Sequence, residues 1–208
     1  MRELHLKMSM TLDGFVGDLE GSGAWRVGGD QSSKAWAVEV VENASLHIMG
    51  SRSFRDMAPY WAVSTDDFAA PMNRAPKTVF SRQGPAILAG LRTSGVDMQP
   101  YGESWAHAQV AGGDLVEEIA RMKAVRAPKP ILAHGGAAFA RSLLAEGLVD
   151  QLVLGVHPIV LGQGEALFSE LTAPMRLKLI SSKTFPGGVM ALTYRPGTRA
   201  NAATPSGT

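Results

Sequence analysis

Residues 147–168 of the 208-residue chain read GLVDQLVLGVHPIVLGQGEALF, and this stretch decides the fold. Apolar side chains at helical spacing precede it at residues 139–144, and a glycine such as Gly147 is typical of the position just after a helix. Residues 151–156 are the most strand-like run of the chain, and this strand ends at His157-Pro158. The stretch therefore predicts a helix, a tight turn and a buried strand in that order.

The same alternation of strands and helices extends toward the N-terminus. In residues 4–11, apolar side chains alternate with polar ones, which predicts a strand with one buried face. Further short strands are predicted at 46–49, 77–80 and 130–133, and helices are predicted to be capped at Ser32-Ser33 and at Asp114.

The C-terminal part has a different pattern. Residues 177–180 and 189–194 flank Pro186-Gly187-Gly188, which predicts an antiparallel hairpin at the sheet edge. The whole pattern predicts an α/β fold in which helices cover both faces of a mostly parallel central sheet. Ligands bind such sheets at the carboxyl ends of the strands, so functional residues are expected there.

Composition narrows the class of protein. The length fits one domain, expected over residues 1–196, and the small polar residues 197–208 are expected to form a disordered tail. The chain has no cysteine, which excludes disulfides and thiolate chemistry. Its 20 Lys+Arg and 19 Asp+Glu are balanced, which argues against a nucleic-acid partner, and no apolar run is long enough for a membrane span. A cytoplasmic globular protein that binds a small-molecule substrate is expected.

Three predicted strand ends carry residues suited to phosphate. They are Gly50-Ser51-Arg52-Ser53, Ser81-Arg82 and Gly135-Gly136-Ala137-Ala138. Glycine lets a phosphate approach the backbone, a helix N-terminus offers unpaired N–H groups, and arginine binds phosphate bidentately. The arrangement predicts a site for a phosphorylated dinucleotide. The alternative is that these are ordinary turn glycines and solvated arginines.

Several motifs, in this order, resemble one family. They are residues 8–16 (MSMTLDGFV), 49–54 (MGSRSF), 78–82 (TVFSR), the GLVDQL and HPIVLGQG runs, and Leu167-Phe168. They are similar to the dihydrofolate-reductase-like reductases, and closest to the reductase (C-terminal) branch of the riboflavin-biosynthesis deaminase–reductases. The resemblance covers about residues 3–195.

This resemblance implies a three-layer dihydrofolate-reductase-like fold and an NADPH-dependent oxidoreductase acting on CH-OH or CH-NH groups, often as a homodimer. It implies cofactor contacts at three places. The nicotinamide would lie along Met8, Ser9 and Val16; the phosphates would contact Gly50, Ser51, Arg52, Ser53, Gly135, Gly136, Ala137 and Ala138; and Ser81 and Arg82 would hold the adenosine 2′-phosphate.

Two departures from the family pattern leave the substrate open. Ser51 stands where the family often has arginine, and the run Arg55-Asp56-Met57-Ala58-Pro59 keeps a proline but lacks the family's pair of acids. One candidate reaction is the ribosyl-to-ribityl reduction of 5-amino-6-(5-phosphoribosylamino)uracil. The alternatives are reduction of another pterin, pyrimidine or carbonyl compound, or a non-catalytic NADPH-binding module.

No residue is assigned as catalytic from the sequence. Asp13 either shapes a turn or faces the substrate, and His157 is either a proton donor or a structural side chain. Trp61 is a candidate for stacking on a flat substrate. His47 and His134 have no carboxylate at ligand spacing, so no metal site is expected.

An expectation about assembly comes from the apolar strand at Gln151–Val156. We expect it near the end of the sheet, with apolar side chains of residues 161–168 also needing cover. An exposed edge is a pairing hazard unless something masks it. A symmetric homodimer is therefore predicted.

Overall fold

The structure is a computed structural model, and it describes residues 1–26, 29–89, 91 and 98–197. Of the predicted tail at 197–208, only Gly197 lies within the described residues. None of the described helices combines the length and the apolar content needed to cross a bilayer.

The described residues form ten strands and five α-helices. The strands are β1 (Leu4–Thr11), β2 (Phe15–Gly17), β3 (Leu46–Gly50), β4 (Lys77–Phe80), β5 (Gln109–Ala111), β6 (Ile131–His134), β7 (Gln151–His157), β8 (Glu165–Ala166), β9 (Leu177–Thr184) and β10 (Met190–Pro196). The helices are α1 (Gln31–Glu42), α2 (Ser51–Trp61), α3 (Ala69–Arg74), α4 (Leu115–Ala124) and α5 (Ala137–Ala145).

Eight of the strands form one sheet in the order β5-β4-β3-β6-β1-β7-β10-β9. The pairs from β5 to β7 are all parallel, whereas β10 pairs antiparallel with both β7 and β9. The separate strands β2 and β8 pair with each other. The predicted mostly parallel sheet with a C-terminal antiparallel hairpin is confirmed.

Successive side chains of β1 point to opposite faces of the sheet. Leu4 and Leu6 are fully buried in a core that includes Ile119 of α4 and Leu143 of α5. The opposite face of the sheet carries a second core with residues of α1, α2 and α3, among them Phe54. Helices therefore cover both faces, as predicted.

The predicted cap of α1 at Ser32-Ser33 is wrong by two residues. The helix begins at Gln31, and Asp30 is its N-cap. The Asp30 carboxylate accepts hydrogen bonds from the backbone N–H groups of Ser32 and Ser33, each at 2.9 Å. Both serines therefore lie in the first turn. Asp114 caps α4 as predicted.

The prediction that Gln151–Val156 lies near the end of the sheet is also wrong. The strand β7 lies between β1 and β10, because the C-terminal hairpin folds back and pairs Met190 with Val156. Leu167, expected to need cover, is fully buried in the first core. The outer strand is β9, and all eight of its residues are exposed.

Candidate active site

A cleft of about 700 Å³ lies at the carboxyl ends of the central parallel strands. It is bordered by the first turns of α2 and α5 and by the glycine-rich residues 21–23. The structure brings most of the candidate residues together here. They are Met8, Ser9, Val16, Gly50, Ser51, Arg52, Ser53, Trp61, Gly135, Gly136, Ala137 and Ala138.

The two helices that point their N-termini at the cleft have no side-chain caps. Gly50 is the N-cap residue of α2 and Gly136 that of α5, and neither helix start has a side-chain capping hydrogen bond. Away from the cleft, α1 and α4 are each capped by an aspartate, Asp30 and Asp114. The first backbone N–H groups of α2 and α5 are thus left for an external acceptor, and an anion suits them.

A single hydrogen bond joins these two helix starts. The hydroxyl of Ser53 in α2 donates to the carbonyl oxygen of Gly135 at 2.6 Å. Gly136 has a φ of +95°, and a Cβ added to it would lie 2.8 Å from Ser53 Oγ. A Cβ at Gly135 would lie 3.1 Å from Met8 Cε. Close packing therefore requires small residues where a phosphate would approach.

Arg52 lies at the rim of the cleft, where the glycine-rich segment holds its side chain. Its Nη2 donates to the carbonyl oxygen of Glu20 at 2.9 Å, and its Nη1 lies 3.7 Å from Glu165. A Cβ on Gly21 would lie 2.4 Å from Nη2 of Arg52, so this glycine leaves the space that the guanidinium occupies.

Ser81 and Arg82 lie just beyond the cleft, after the end of β4. Ser81 is buried, its N–H donates to the carbonyl of Ala111, and its hydroxyl oxygen accepts from the N–H of Gln83. Arg82 is exposed in the following turn. The last residue of β4, Phe80, does line the cleft and packs on Phe139.

Asp13 and His157 are not among the residues that line the cleft. The carboxylate of Asp13 accepts hydrogen bonds from the Thr11 hydroxyl and from the N–H of Gly162 at 2.7 Å, and the first of these is the main cause of its lowered pKa. His157 ends β7 and meets the buried Trp25 edge-on, with ring centroids 5.6 Å apart. The hydrogen bonds from Thr11 and Gly162 to its carboxylate favour the turn-shaping role for Asp13.

Sequence reasoning missed Lys7, a residue of β1 whose side chain lines the cleft. Its side chain is half-buried, and burial first, then the positive charge of Arg26, lowers the pKa of Lys7 to about 8. The alternation of β1 contained a signal for this residue. Burying a charged side chain on a strand that is covered on both faces costs free energy, so a lysine at such a position suggests a functional role.

His134 lines the cleft beside Lys7, its partner in register on β1. Its Nε2 lies 2.7 Å from Nδ1 of His47, and both rings are buried. Burial lowers the pKa of His47 to about 3 and that of His134 well below its ordinary value. The wall beside Lys7 is therefore an uncharged imidazole pair.

Trp61 forms part of an aromatic wall. It packs on Tyr60 with ring centroids 4.6 Å apart and on Phe68 at 5.9 Å. Tyr60 and Met57 of the same helix also line the cleft. A flat ring bound at this wall would find apolar and aromatic surface. Trp25 and Trp105, by contrast, are buried.

Comparison with known proteins agrees with the fold and the order of motifs. The family model for the RibD C-terminal domain matches residues 2–191. YyaP, an uncharacterized protein of Bacillus subtilis (strain 168), is 25% identical over 193 residues, which are 93% of this chain and 94% of YyaP.

Two solved structures show the same fold. A putative riboflavin biosynthesis protein from Shewanella sp. PV-4 has a TM-score of 0.64 at 23% identity, covering 95% of this chain and 99% of that one. Dihydrofolate reductase from Enterococcus faecalis, solved with NADP(H), has a TM-score of 0.55 at 10% identity, covering 93% and 96%. The resemblance drawn from the motifs is thereby confirmed: the chain belongs to the RibD C-terminal domain family.

Proposed function

We propose that the protein is an NADPH-dependent reductase of a small heterocyclic or carbonyl substrate. One observation carries the proposal: two uncapped helix N-termini, joined by the Ser53–Gly135 hydrogen bond, face the same cleft. A dinucleotide presents adjacent phosphates that suit such a pair of N-termini. The Enterococcus faecalis dihydrofolate reductase, which shares the fold, was solved with NADP(H).

The cleft residues fit this cofactor. Gly50–Ser53 and Gly135–Ala138 would hold its phosphates through backbone N–H groups. Ser81 and Arg82, beyond β4, would hold the adenosine 2′-phosphate. Met8, Ser9 and Val16 would lie along the nicotinamide. When bound, the cofactor supplies a hydride to an electrophilic carbon of the substrate.

Lys7 is the proton donor in this proposal. Reduction of a carbonyl or imine carbon leaves negative charge on the attached oxygen or nitrogen, which must take up a proton. Lys7 lies in the cleft, and its ammonium has a pKa of about 8, close to neutral pH. Its Nζ gives a proton to that atom, becomes neutral, and regains a proton from water after product leaves.

The substrate class follows from the wall formed by Trp61 and Tyr60, which suits a flat ring. The ribosylaminouracil of riboflavin synthesis is one candidate. The second is another pterin, pyrimidine or carbonyl compound. Met57 favours this second class of substrate. It lines the cleft and belongs to the run 55–59, where the family usually has a pair of acids.

We also propose a symmetric homodimer, with its interface on β9 instead of β7. The outer strand β9 exposes Leu177, Leu179 and Ile180 by 37%, 51% and 48%. Apolar side chains on an unpaired edge invite pairing with another chain. A second copy that covers this hairpin would remove both the edge and the apolar exposure.

The test is NADPH oxidation by the purified protein across a panel of pyrimidine, pterin and carbonyl substrates, with NADPH binding measured separately by calorimetry. We expect saturable NADPH binding and oxidation with at least one substrate. Binding without oxidation on the whole panel would favour a non-catalytic NADPH-binding module. Absence of NADPH binding would overturn the proposal.

A further inference from the structure

A largely buried polar cluster lies behind the aromatic wall of the cleft. At its centre are Asn73 of α3, which is fully buried, and Lys77, the first residue of β4, which is 2% exposed. Ser104 and Trp105 of the 3₁₀ turn Gly102–Trp105 complete it. We call these four residues the Asn73 cluster. They are not among the residues that line the cleft, so the cluster acts on a ligand only through the wall.

The side chain of Asn73 bonds directly to the wall. Its Nδ2 donates to the carbonyl oxygen of Trp61 at 2.9 Å, and its Oδ1 accepts from Nε1 of Trp105 at 2.7 Å. Trp61 is the last residue of α2, so its carbonyl has no helical N–H four residues later. The ring of Trp61 also packs on Phe68, the N-cap residue of α3. The α3 segment therefore sets the position of Trp61 through both its backbone and its ring.

The last turn of α2 depends on such outside contacts. Pro59 lies inside the helix and has no N–H, so one helical hydrogen bond is missing there. A cavity of about 70 Å³ lies next to this turn, and its lining includes Pro59, Ala62 and Trp105. Because closely packed groups shift only into free volume, this cavity gives the end of α2 room to move.

Lys77 holds the Asn73 cluster from the other side. Its Nζ donates to the carbonyl oxygens of Asn73 at 3.0 Å and Ala75 at 2.6 Å, and to Oγ of Ser104 at 2.7 Å. These bonds use all three N–H groups of an ammonium. The Ser104 hydroxyl in turn donates to the carbonyl of Asn73 at 2.7 Å. Two of the three acceptors are carbonyls at the C-terminal end of α3, where a positive charge is stabilising.

The charge of Lys77 has no neutralising carboxylate. In the part of the chain that the structure describes, no carboxylate lies within ion-pair distance of its Nζ. Burial lowers the pKa of Lys77 to about 7, against the smaller opposite effect of the Glu103 carboxylate. His47, its partner in register on β3, and His134 face it as neutral rings, and Arg74 of α3 is exposed. Lys77 therefore loses its proton close to neutral pH.

Loss of that proton changes the hydrogen bonds of the Asn73 cluster. A neutral amine has two N–H groups for three acceptors, and it no longer carries the charge that stabilises the carbonyl end of α3. A buried acceptor without a donor costs free energy. The α3 segment, and Asn73 with it, is therefore held less firmly when Lys77 is neutral.

We propose that Asn73 is a positioning residue for Trp61 and that the proton on Lys77 keeps it in place, so that the aromatic wall is firm while Lys77 is charged and loosens when Lys77 is neutral. The inference rests on the proposed function, in which this wall receives the flat ring of the substrate. It adds a form of regulation to that site, because binding of the ring becomes weaker above neutral pH while the chemical step is unaffected.

The test follows the four tryptophans by fluorine NMR in protein labelled with 5-fluorotryptophan, without cofactor or substrate. Trp61→Phe identifies the signal of Trp61. We expect this signal to move with pH, with a midpoint of about 7, and the midpoint should disappear in Lys77→Met. Lys7→Met is the control, because Lys7 is the cleft lysine with a pKa of about 8, and its removal should leave the midpoint in place.

Asn73→Asp is a second variant, which keeps the test decisive if Lys77→Met does not fold. It preserves the size of the side chain and the acceptor for Trp105, but it removes the N–H that Trp61 receives. Its Trp61 signal at low pH should therefore be displaced from the wild-type position, in the direction of the wild-type signal at high pH.

The consequence for the substrate is measured by steady-state kinetics at a pH below 7, on the panel substrate that the enzyme reduces. Lys77→Met should raise KM at least about threefold and leave kcat within about twofold, because it weakens binding and not the chemical step. Ile119→Val, in the core on the opposite face of the sheet, is the control for a general loss of stability and should leave KM unchanged.

Three results would overturn the inference. They are a wild-type Trp61 signal that does not titrate near pH 7, the same midpoint in Lys77→Met, and an unchanged KM in Lys77→Met. Failure of the proposed reductase function is distinguishable, since the NMR titration needs neither NADPH nor a substrate and decides by itself whether the proton on Lys77 controls the position of Trp61.

Discussion

Gly136 and Ser53 constrain each other: the Ser53 hydroxyl oxygen stands 2.8 Å from the place where a Cβ on Gly136 would lie. The same hydroxyl donates to the carbonyl of Gly135. The start of α5 is therefore shaped by a residue of α2 that is 83 positions earlier in the chain.

A double-mutant cycle tests this relationship. Gly136→Ala should lower the free energy of unfolding by about 1–3 kcal/mol, because it strains a backbone with φ of +95° and also displaces Ser53 Oγ. In the Ser53→Ala background the same substitution should cost about 0.5–1 kcal/mol less, since the close contact is gone. Denaturant unfolding of the four proteins measures the coupling, and strict additivity would contradict it. Gly136→Ala should also weaken NADPH binding by about tenfold or more.

Preference for the phosphorylated cofactor tests the position of Arg82. NADPH should bind at least about tenfold tighter than NADH, because the guanidinium of Arg82 can bind the 2′-phosphate of NADPH, and NADH has no anionic group at that position. Arg82→Gln should remove most of this preference and leave NADH binding unchanged. Arg121→Gln, an exposed arginine of α4, is the matched control. Equal affinities for the two cofactors by calorimetry would remove the 2′-phosphate site from the proposal.

Substitution of Lys7 should separate stability from catalysis. The folded pKa of about 8 lies below the ordinary 10.5, so at neutral pH the folded state carries this charge at a cost that the unfolded state does not. Lys7→Met should therefore raise the free energy of unfolding at pH 7, by about 1–3 kcal/mol. The turnover number should fall about 100-fold or more, with NADPH affinity unchanged. A destabilised variant that keeps its activity would rule out Lys7 as the proton donor.

The pH profile gives a second view of Lys7. Its acid form donates the proton, so the rate of reduction should be constant below a pH of about 8 and fall above it. The groups that face it are Arg26, whose charge does not change in this range, and His134, which is already neutral. Lys7→Arg should abolish the limb near 8, because guanidinium does not lose its proton there. A limb that stays at the same pH in Lys7→Arg would assign it to another group.

Assembly should depend on β9. We expect light scattering to give the mass of a dimer for the wild-type protein. Leu179→Glu with Ile180→Glu should yield monomers that keep the fold, because both side chains are about half exposed and contribute little to the core. Val160→Glu, an exposed apolar residue of the 158–162 loop, is a control that should remain dimeric. A monomeric wild type in dilute solution would refute the dimer.

Local patterns in the sequence determined the elements and their class. The alternation in residues 4–11 predicted β1, and Asp114 predicted the start of α4, because alternation and capping depend on residues a few positions apart. The motifs around residues 147–168 indicated the family, and glycines at two strand ends indicated helix starts that can accept phosphate. These features need no knowledge of which strands become neighbours.

What only the tertiary structure decided are the relationships between distant segments. That Lys7 and Arg26 line the same cleft, that Asp13 accepts a hydrogen bond from Gly162, and that β10 pairs with β7 all depend on how distant segments come together. Strand order is set by the burial of both faces of the sheet and by the pairing of the C-terminal hairpin with β7. Both depend on contacts between segments far apart in the sequence, so local patterns do not predict them. Because burial and neighbouring charge alter the chemistry of a lysine, the identity of Lys7 alone could not reveal its pKa or its role.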